Sequence, residues 1–221
     1  MRRVAAIVCM ALLALVVKAE EGMPSTVITE RGKVLMKEDF TRPVPSLADK
    51  KAGRVQGQWR VYSGQWECVD GALRGQQLPT DGRSAFVLCP LPLGDCVIQF
   101  DVRFDGARQV MFRVQDAVPE HICSMVIRPS QFTAQKDDHD HKGPDTAVPF
   151  GSAPLSLKQG EWTTVLVELR GSAMAATIGG KTITGTHPLI AAPKASIDLV
   201  VTGRAAGFRN VCVWEAKPRT P

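Results

Sequence analysis

The segment QKDDHDHKGPD, residues 135–145, concentrates side chains that could bind a metal ion or transfer a proton. Within it, residues 137–141 hold three Asp residues and two of the four His residues of the chain. In an extended backbone alternate side chains share one side, so Asp137, His139 and His141 would point together. Imidazole and carboxylate groups suit Zn²⁺ or Mn²⁺, and suit Ca²⁺ less well because imidazole is a poor ligand for it.

The residues that follow favour a different interpretation of this segment. Glycine and proline recur through KGPDTAVPFGSAP, residues 142–154, and such density is typical of a long surface loop. We therefore predict a solvated loop first, a binding or catalytic loop second and a metal site last. No metal ligand is assigned. A divalent metal is the one cofactor that these residues allow, and it is not favoured.

The N-terminal residues have the features of a secretory signal peptide. Arg2 and Arg3 precede an apolar run over residues 4–17, and Ala19 supplies a small residue at the expected cleavage site. The run has fourteen residues, fewer than the roughly 18 of a membrane-spanning helix. We predict a signal peptide over residues 1–19, a spacer over residues 20–32, and a secreted or periplasmic protein without a membrane span after cleavage.

Removal of this signal changes the charge and cysteine arguments. Arg2, Arg3 and Lys18 are lost with it, so the net charge falls from +5 to +2. Since no Lys/Arg cluster suggests a phosphate-binding face, we expect no nucleic-acid partner. Five of the six cysteines remain, and an odd number leaves at least one thiol unpaired. Cys89 and Cys96 could meet across a hairpin, but spacing alone does not establish a disulfide.

The rest of the chain predicts strands throughout. Short runs rich in Val, Ile, Phe, Thr and Trp alternate with Gly, Pro, Asp and Asn, and helical periodicity is nearly absent. Asp70-Gly71 and Gly179-Gly180 each supply the positive φ angles of a two-residue hairpin turn. We predict an all-β fold, an antiparallel β-sandwich of the jelly-roll kind, as a single domain over residues 33–217. The predicted strands span residues 34–40, 59–62, 65–69, 72–75, 84–89, 96–104, 110–115, 122–128, 132–135, 162–170, 173–178, 181–184, 196–201 and 208–215.

Strand alternation predicts a polar sheet face opposite a buried one. In VIQFDVRF, residues 97–104, Gln99 and Asp101 point away from the apolar side chains, and Arg113 does the same in VMFRVQ, residues 110–115. Ordinary solvent exposure is the simpler interpretation, and a platform for sugar hydroxyls is the functional one. We expect the four Trp residues to pack in the core. The candidate carbohydrate-binding residues are Gln99, Asp101, Arg113, Arg128, Gln135 and Lys136.

Several blocks resemble a family of exported bacterial proteins. They are WRVYSGQWECVDGALRG (residues 59–75), VIQFDVRF (97–104), HICSMVIRPSQFTAQKDDHDHKGPD (121–145), GEWTTVLVELRG (160–171) and FRNVCVWEA (208–216). The chain resembles the 3-keto-disaccharide hydrolase-like family of the concanavalin A-like lectin/glucanase superfamily. This resemblance implies a concanavalin A-like jelly roll and a saccharide or glycan ligand.

The resemblance also implies a chemistry. A ketone at C3 of a sugar acidifies the proton at C2, so a general base can remove that proton and the glycosidic oxygen can leave, with a cation stabilising the enolate. The candidate residues for the base are His121, Asp138, His139, Asp140 and His141. The two-carboxylate mechanism of ordinary glucanases is disfavoured because the chain has no E-x-D-x-E strand. The alternatives are a non-catalytic carbohydrate-binding or cell-surface interaction module and a structural surface domain without a small ligand.

Overall fold

A computed structural model describes residues 23–41, 59–118 and 120–220, so the predicted signal peptide lies outside the described residues. These residues form antiparallel strands joined by turns and two short 3₁₀ segments, Pro79–Asp81 and Pro188–Ala191. The strands are β1 (Thr29–Glu38), β2 (Arg60–Ser63), β3 (Gln65–Val69), β4 (Ala72–Gln76), β5 (Ala85–Leu93), β6 (Cys96–Gln115), β7 (His121–Arg128), β8 (Gln131–Lys136), β9 (Val148–Pro154), β10 (Trp162–Arg170), β11 (Ala173–Ile178), β12 (Lys181–Thr186) and β13 (Lys194–Pro218).

Two long strands, β6 and β13, form the centre of the molecule. They pair antiparallel over nearly their whole length, from Ser196 opposite Gln115 to Glu215 opposite Cys96. The register of the pair shifts repeatedly between residues 202 and 206 of β13. At this point Gly106 of β6 and Gly203 of β13 have positive φ angles of 97° and 100°. Such bulges bend a strand pair and increase its local twist.

This bend folds β6 and β13 across both layers of a β-sandwich. The rings of Phe100 and Phe112 stack with centroids 5.4 Å apart, although both residues belong to β6. Twelve residues of straight strand would separate them by roughly 40 Å. The two halves of β6 therefore face each other across one apolar core.

Each half of the central pair carries its own neighbouring strands. The first layer combines the start of β6 and the end of β13 with β1, β3, β4, β10, β11 and β12. The second layer combines the end of β6 and the start of β13 with β2, β5, β7, β8 and β9. The predicted all-β antiparallel sandwich is confirmed.

Local predictions from turn chemistry and composition also hold. Gly179-Gly180 joins β11 to β12, and Asp70-Gly71 joins β3 to β4, each as a tight antiparallel hairpin. Trp59 and Trp66 are buried in the core as predicted, at 1% and 0% exposure. The same prediction is wrong for Trp162, which is only partly buried beneath two arginines, and for Trp214, which packs in a separate small cluster. Among the described residues, no helix has the length and apolar composition needed to cross a membrane.

Two predictions about the chain's organisation need correction. The predicted spacer over residues 20–32 includes the start of β1, because the buried Glu168 carboxylate accepts backbone N–H groups of Val27, Ile28 and Thr29 at 2.7–2.9 Å. The predicted long loop over residues 142–154 contains β9, which pairs with β8. The pairing of Cys89 with Cys96, which spacing alone left open, does not occur, and all five described cysteines are free thiols.

The contact between the two halves of β6 can be tested by a double-mutant cycle. Phe100→Leu and Phe112→Leu each remove part of one ring, so their effects on the free energy of unfolding should not add. We expect a coupling of about 0.5–1.5 kcal/mol, measured by urea denaturation. A coupling near zero would contradict the bend, because the two side chains would then be too far apart to interact.

Candidate functional site

A row of polar side chains crosses the outer face of the second layer. In VMFRVQ, the apolar Val110, Phe112 and Val114 enter the core, so Arg113 points outward from β6. The strand registers place one polar residue of each neighbouring strand beside it. The row consists of Asp198 on β13, Arg113 on β6, Ser124 on β7 and Gln135 on β8.

An apolar row lies directly alongside the polar one. It is formed by Phe86 on β5, Val200 on β13, Met111 on β6 and Val126 on β7, and it ends at Thr133 on β8. Tyr62 of β2 stacks on Phe86 with ring centroids 5.0 Å apart and remains 52% exposed. The Arg113 guanidinium lies over the other aromatic ring, 5.4 Å from the centroid of Phe86. Aromatic, cationic and polar groups thus meet on one surface.

Arg113 is held in position by a buried carboxylate. Its Nε donates a hydrogen bond of 3.0 Å to Oδ2 of Asp198, a residue with no exposed surface. Burial raises the pKa of Asp198 to about 7, and the neighbouring Arg113 opposes that rise. The pair fixes the guanidinium at the surface, since the carboxylate below it cannot move into water.

The segment after β8 folds back onto the second layer. Asp137 is buried, and its Oδ1 accepts hydrogen bonds of 2.7 Å from the Ser124 hydroxyl and the Gln135 side-chain amide. Lys136 is only 1% exposed, and its ammonium donates to Asp145 and to the Thr146 carbonyl. The predicted solvated loop is therefore anchored by buried contacts of Lys136 and Asp137, and its exposed residues are 141–144 and 146–147.

Two histidines extend the polar row at the β6–β7 end. His141, with 63% of its side chain exposed, places Nε2 3.0 Å from Nδ1 of His121. The same Nδ1 lies 3.4 Å from Nη1 of Arg113. Because arginine only donates, Nδ1 of His121 must accept, so His141 donates from Nε2. Burial, with Arg113 nearby, lowers the pKa of His121 to about 4.

His139 points to a different set of partners. Its Nε2 lies 2.8 Å from Oδ2 of Asp116, and its Nδ1 lies 3.4 Å from Oε2 of Glu120. Asp116 follows β6 directly, and Glu120 directly precedes β7. His139 and His141 therefore contact different residues, although strand alternation predicted that both would point to one side together with Asp137.

The structure divides the predicted carbohydrate-binding residues between opposite faces. Gln99 and Asp101 lie on the outer face of the first layer, because the bend in β6 separates them from Arg113. There Asp101 already accepts hydrogen bonds from Thr164, Arg209 and Asn210 at 2.8–3.1 Å. The prediction of one shared polar face is thus wrong.

The remaining candidates also differ in their positions. Gln135 joins the polar row, whereas Lys136 is buried as an anchor of the loop. Arg128 lies at the far end of β7, roughly 23 Å along the strand from His121. His121 and His141 come together beside Arg113, while Asp138 and Asp140 accept backbone N–H groups within the loop.

Sequence reasoning did not single out Asp198, Tyr62 or Asp116. Asp198 is an isolated carboxylate within the apolar SIDLVV, and that isolation was the available signal. Tyr62 is the only tyrosine of the chain and lies in a predicted strand, but its stacking on Phe86 depends on the pairing of β2 with β5. Asp116 lies in a turn whose contact with His139 no local pattern indicates.

Comparison with solved structures shows which known folds this fold resembles. A protein of unknown function with a galectin-like fold from Bacillus subtilis matches with a TM-score of 0.62 at 13% identity, covering 87% of this chain and 100% of that one. The chain has the fold of galectin-like and glucanase β-sandwiches. No protein-family model matches the chain, and neither does any curated protein.

Two further structures have the same fold. SCLam, a non-specific endo-beta-1,3(4)-glucanase from family GH16, matches with a TM-score of 0.61 at 11% identity, over 88% of this chain and 95% of that one. The carbohydrate-binding module CBM66 from Bacillus subtilis matches with a TM-score of 0.57 at 11% identity, over 72% of this chain and 96% of that one. These identities establish the fold alone.

The burial of Asp198 predicts a defined pH dependence of stability. Its folded pKa of about 7 lies above the ordinary value of 3.8, so its contribution is fully present below about pH 4 and is lost as pH rises towards 7. We expect the stability of Asp198→Asn relative to wild type to increase from pH 4 to pH 7 and then level off, measured by urea denaturation. A difference that is constant from pH 4 to pH 8 would show that Asp198 does not titrate in this range.

Proposed function

We propose that the chain is an exported carbohydrate-active protein that binds a saccharide on the outer face of its second layer. The observation that carries this proposal is the exposed Tyr62 ring, stacked on Phe86 beside the Arg113–Asp198 pair. An aromatic surface next to fixed hydrogen-bond donors meets both requirements of a sugar ring, which has apolar C–H faces and a hydroxyl-bearing edge.

The two partly exposed residues of the polar row, Arg113 and Gln135, are held in fixed positions by buried neighbours. Asp198 holds Arg113, and Asp137 orients Ser124 and Gln135 through hydrogen bonds of 2.7 Å. Side chains that are already ordered lose little conformational entropy when a ligand binds. The row therefore supports recognition of sugar hydroxyls by a surface that does not have to rearrange.

Charge and fold support the same ligand class. The predicted mature chain has a net charge of only +2, which disfavours nucleic acid. Structures with the same fold include a carbohydrate-binding module and an endo-beta-1,3(4)-glucanase. In this proposal, export follows from the predicted signal peptide, which places the protein where polysaccharides are encountered.

Saccharide binding can be tested with a glycan array followed by calorimetry on the oligosaccharides that bind. Tyr62→Ala removes the exposed ring, and we expect at least a tenfold loss of affinity, about 1.4 kcal/mol. The matched control is Arg103→Ala on the opposite layer, where Arg103 lies 4.7 Å from the ring centroid of Trp162. Equal affinity of Tyr62→Ala and wild type, or a loss confined to Arg103→Ala, would contradict the proposed surface.

Cleavage of 3-keto-glycosides is the second candidate function. One observation favours it: the exposed imidazole of His141 is linked through His121 to the Arg113 cation. In such a reaction the imidazole takes the C2 proton and the C2–H electrons form the enolate of the C3 ketone. The enolate then returns to the ketone and forms a C1=C2 double bond, while the glycosidic oxygen leaves C1 with the electrons of the C1–O bond and takes up a proton. A guanidinium beside the sugar would stabilise the enolate oxygen.

Turnover of a 3-keto-glucoside distinguishes the enzyme from the binding module. If the enzyme proposal is correct, His141→Ala should lower kcat by a factor of about 10²–10⁴ while retaining the fold, measured by release of the aglycone. Lys142→Ala, the adjacent exposed position of the loop, should keep wild-type turnover. If the wild type binds oligosaccharide but does not turn over the 3-keto-glucoside, the enzyme proposal is contradicted and saccharide binding remains as the proposed function.

A further inference from the structure

We propose that Asp116, Glu120 and His139 form a binding site for a divalent transition-metal ion, Zn²⁺ or Mn²⁺. One ligand atom of each residue lies within 4.8 Å of the other two. All three side chains are partly buried, at 17%, 31% and 27% exposure, so they keep access to solvent without being fully hydrated. The site shares no residue with the proposed saccharide contacts of Tyr62 and Arg113, although His121 contacts both His139 and Arg113.

The three residues converge because three strand ends meet at this corner of the second layer. Asp116 follows the last residue of β6, Glu120 precedes the first residue of β7, and His139 lies three residues after the end of β8. Since β7 pairs with β8 on one side and with β6 on the other, these ends are adjacent. The site therefore depends on strand register and could not be found within the KDDHDH segment alone.

The backbone around the three side chains is fixed by hydrogen bonds. Oδ1 of Asp116 accepts the N–H groups of Val118 and Glu120 at 2.8 and 3.1 Å, which leaves Oδ2 directed towards His139. The His139 N–H donates to Asp145 at 2.9 Å, and its carbonyl accepts from the His121 N–H at 3.0 Å. Outer hydrogen bonds of this kind orient metal ligands before the ion binds.

The donor set identifies the class of ion. Two carboxylates and one imidazole combine oxygen and nitrogen ligands, which suits Zn²⁺ and Mn²⁺, whereas Ca²⁺ takes oxygen ligands. His139 presents its two ring nitrogens to different carboxylates, Nε2 to Asp116 at 2.8 Å and Nδ1 to Glu120 at 3.4 Å. An ion binds only one of these nitrogens, so the distances that matter are those among one ligand atom of each residue, which all lie within 4.8 Å of one another. Three protein ligands also leave coordination positions for water or another ligand oxygen.

A carboxylate–histidine–carboxylate ion pair without a metal is the competing explanation of the same contacts. Both carboxylates approach a ring nitrogen of His139 within the distance of an ion pair. The two explanations differ in what the purified chain does when an ion is added. Only a metal site takes up one equivalent of ion with all three residues required.

Metal titration of the chelator-treated chain tests the proposal directly. We expect one equivalent of Zn²⁺ or Mn²⁺ by calorimetry, loss of the free Mn²⁺ electron paramagnetic resonance signal, and a higher Tm with the ion present. Asp116→Asn is the main variant because it keeps the side-chain shape, and His139→Ala is the second. Each should lower affinity at least about tenfold while the circular dichroism spectrum stays unchanged.

Matched controls separate this site from adventitious binding. His187→Ala removes a histidine that caps the Pro188–Ala191 segment, and Glu161→Gln removes an exposed carboxylate; both should bind the ion like wild type. Equal metal affinity of Asp116→Asn, His139→Ala and wild type would overturn the proposal, as would no binding by wild type at millimolar ion. Oligosaccharide binding is measured separately, with chelator present. A chain that binds no metal ion can therefore still bind saccharide, and a chain that binds no saccharide can still bind the metal ion.

Discussion

The antiparallel pairing of β6 with β13, bent near Gly106 and Gly203, is the constraint on which the rest of the structure depends. Both layers of the sandwich grow from this pair, so the bend determines which strands face each other and closes the core at the Phe100–Phe112 contact. It also decides which polar side chains share a surface. Arg113 and Asp101 belong to one strand, yet they lie on opposite outer faces of the molecule.

The proposed saccharide surface depends on buried groups beneath it. Asp198 is inaccessible to a ligand, but it holds the Arg113 guanidinium in a defined position. Lys136 is equally buried and anchors the loop that presents His139 and His141. These two ionic contacts hold side chains of the sheet face and of the loop after β8 in defined positions. The binding residues are therefore positioned by neighbours that have no direct part in recognition.

The sequence predicted those features that depend on local patterns. Alternating apolar residues identified most strands, and Gly179-Gly180 and Asp70-Gly71 identified two hairpins. It did not predict the bend, because the residues between 104 and 110 read as a break between two strands. Without the bend, the sequence predicted one face for Gln99, Asp101 and Arg113, whereas the structure separates Arg113 from the other two. The contact of His139 with Asp116 could not be predicted, because the two residues are 23 positions apart and meet only through two strand registers. The outward side of Arg113 could be predicted because strand alternation alone determines it.

The central claim is that a saccharide binds the outer face of the second layer. The most direct measurement is a titration of the isotopically labelled chain with an oligosaccharide that binds it, in which nuclear magnetic resonance chemical shifts report the residues affected. The account predicts that the largest shifts occur at Tyr62, Phe86, Arg113 and Gln135. Shifts centred instead on Trp162, Asp101 and Arg209 would place the ligand on the first layer and contradict the account.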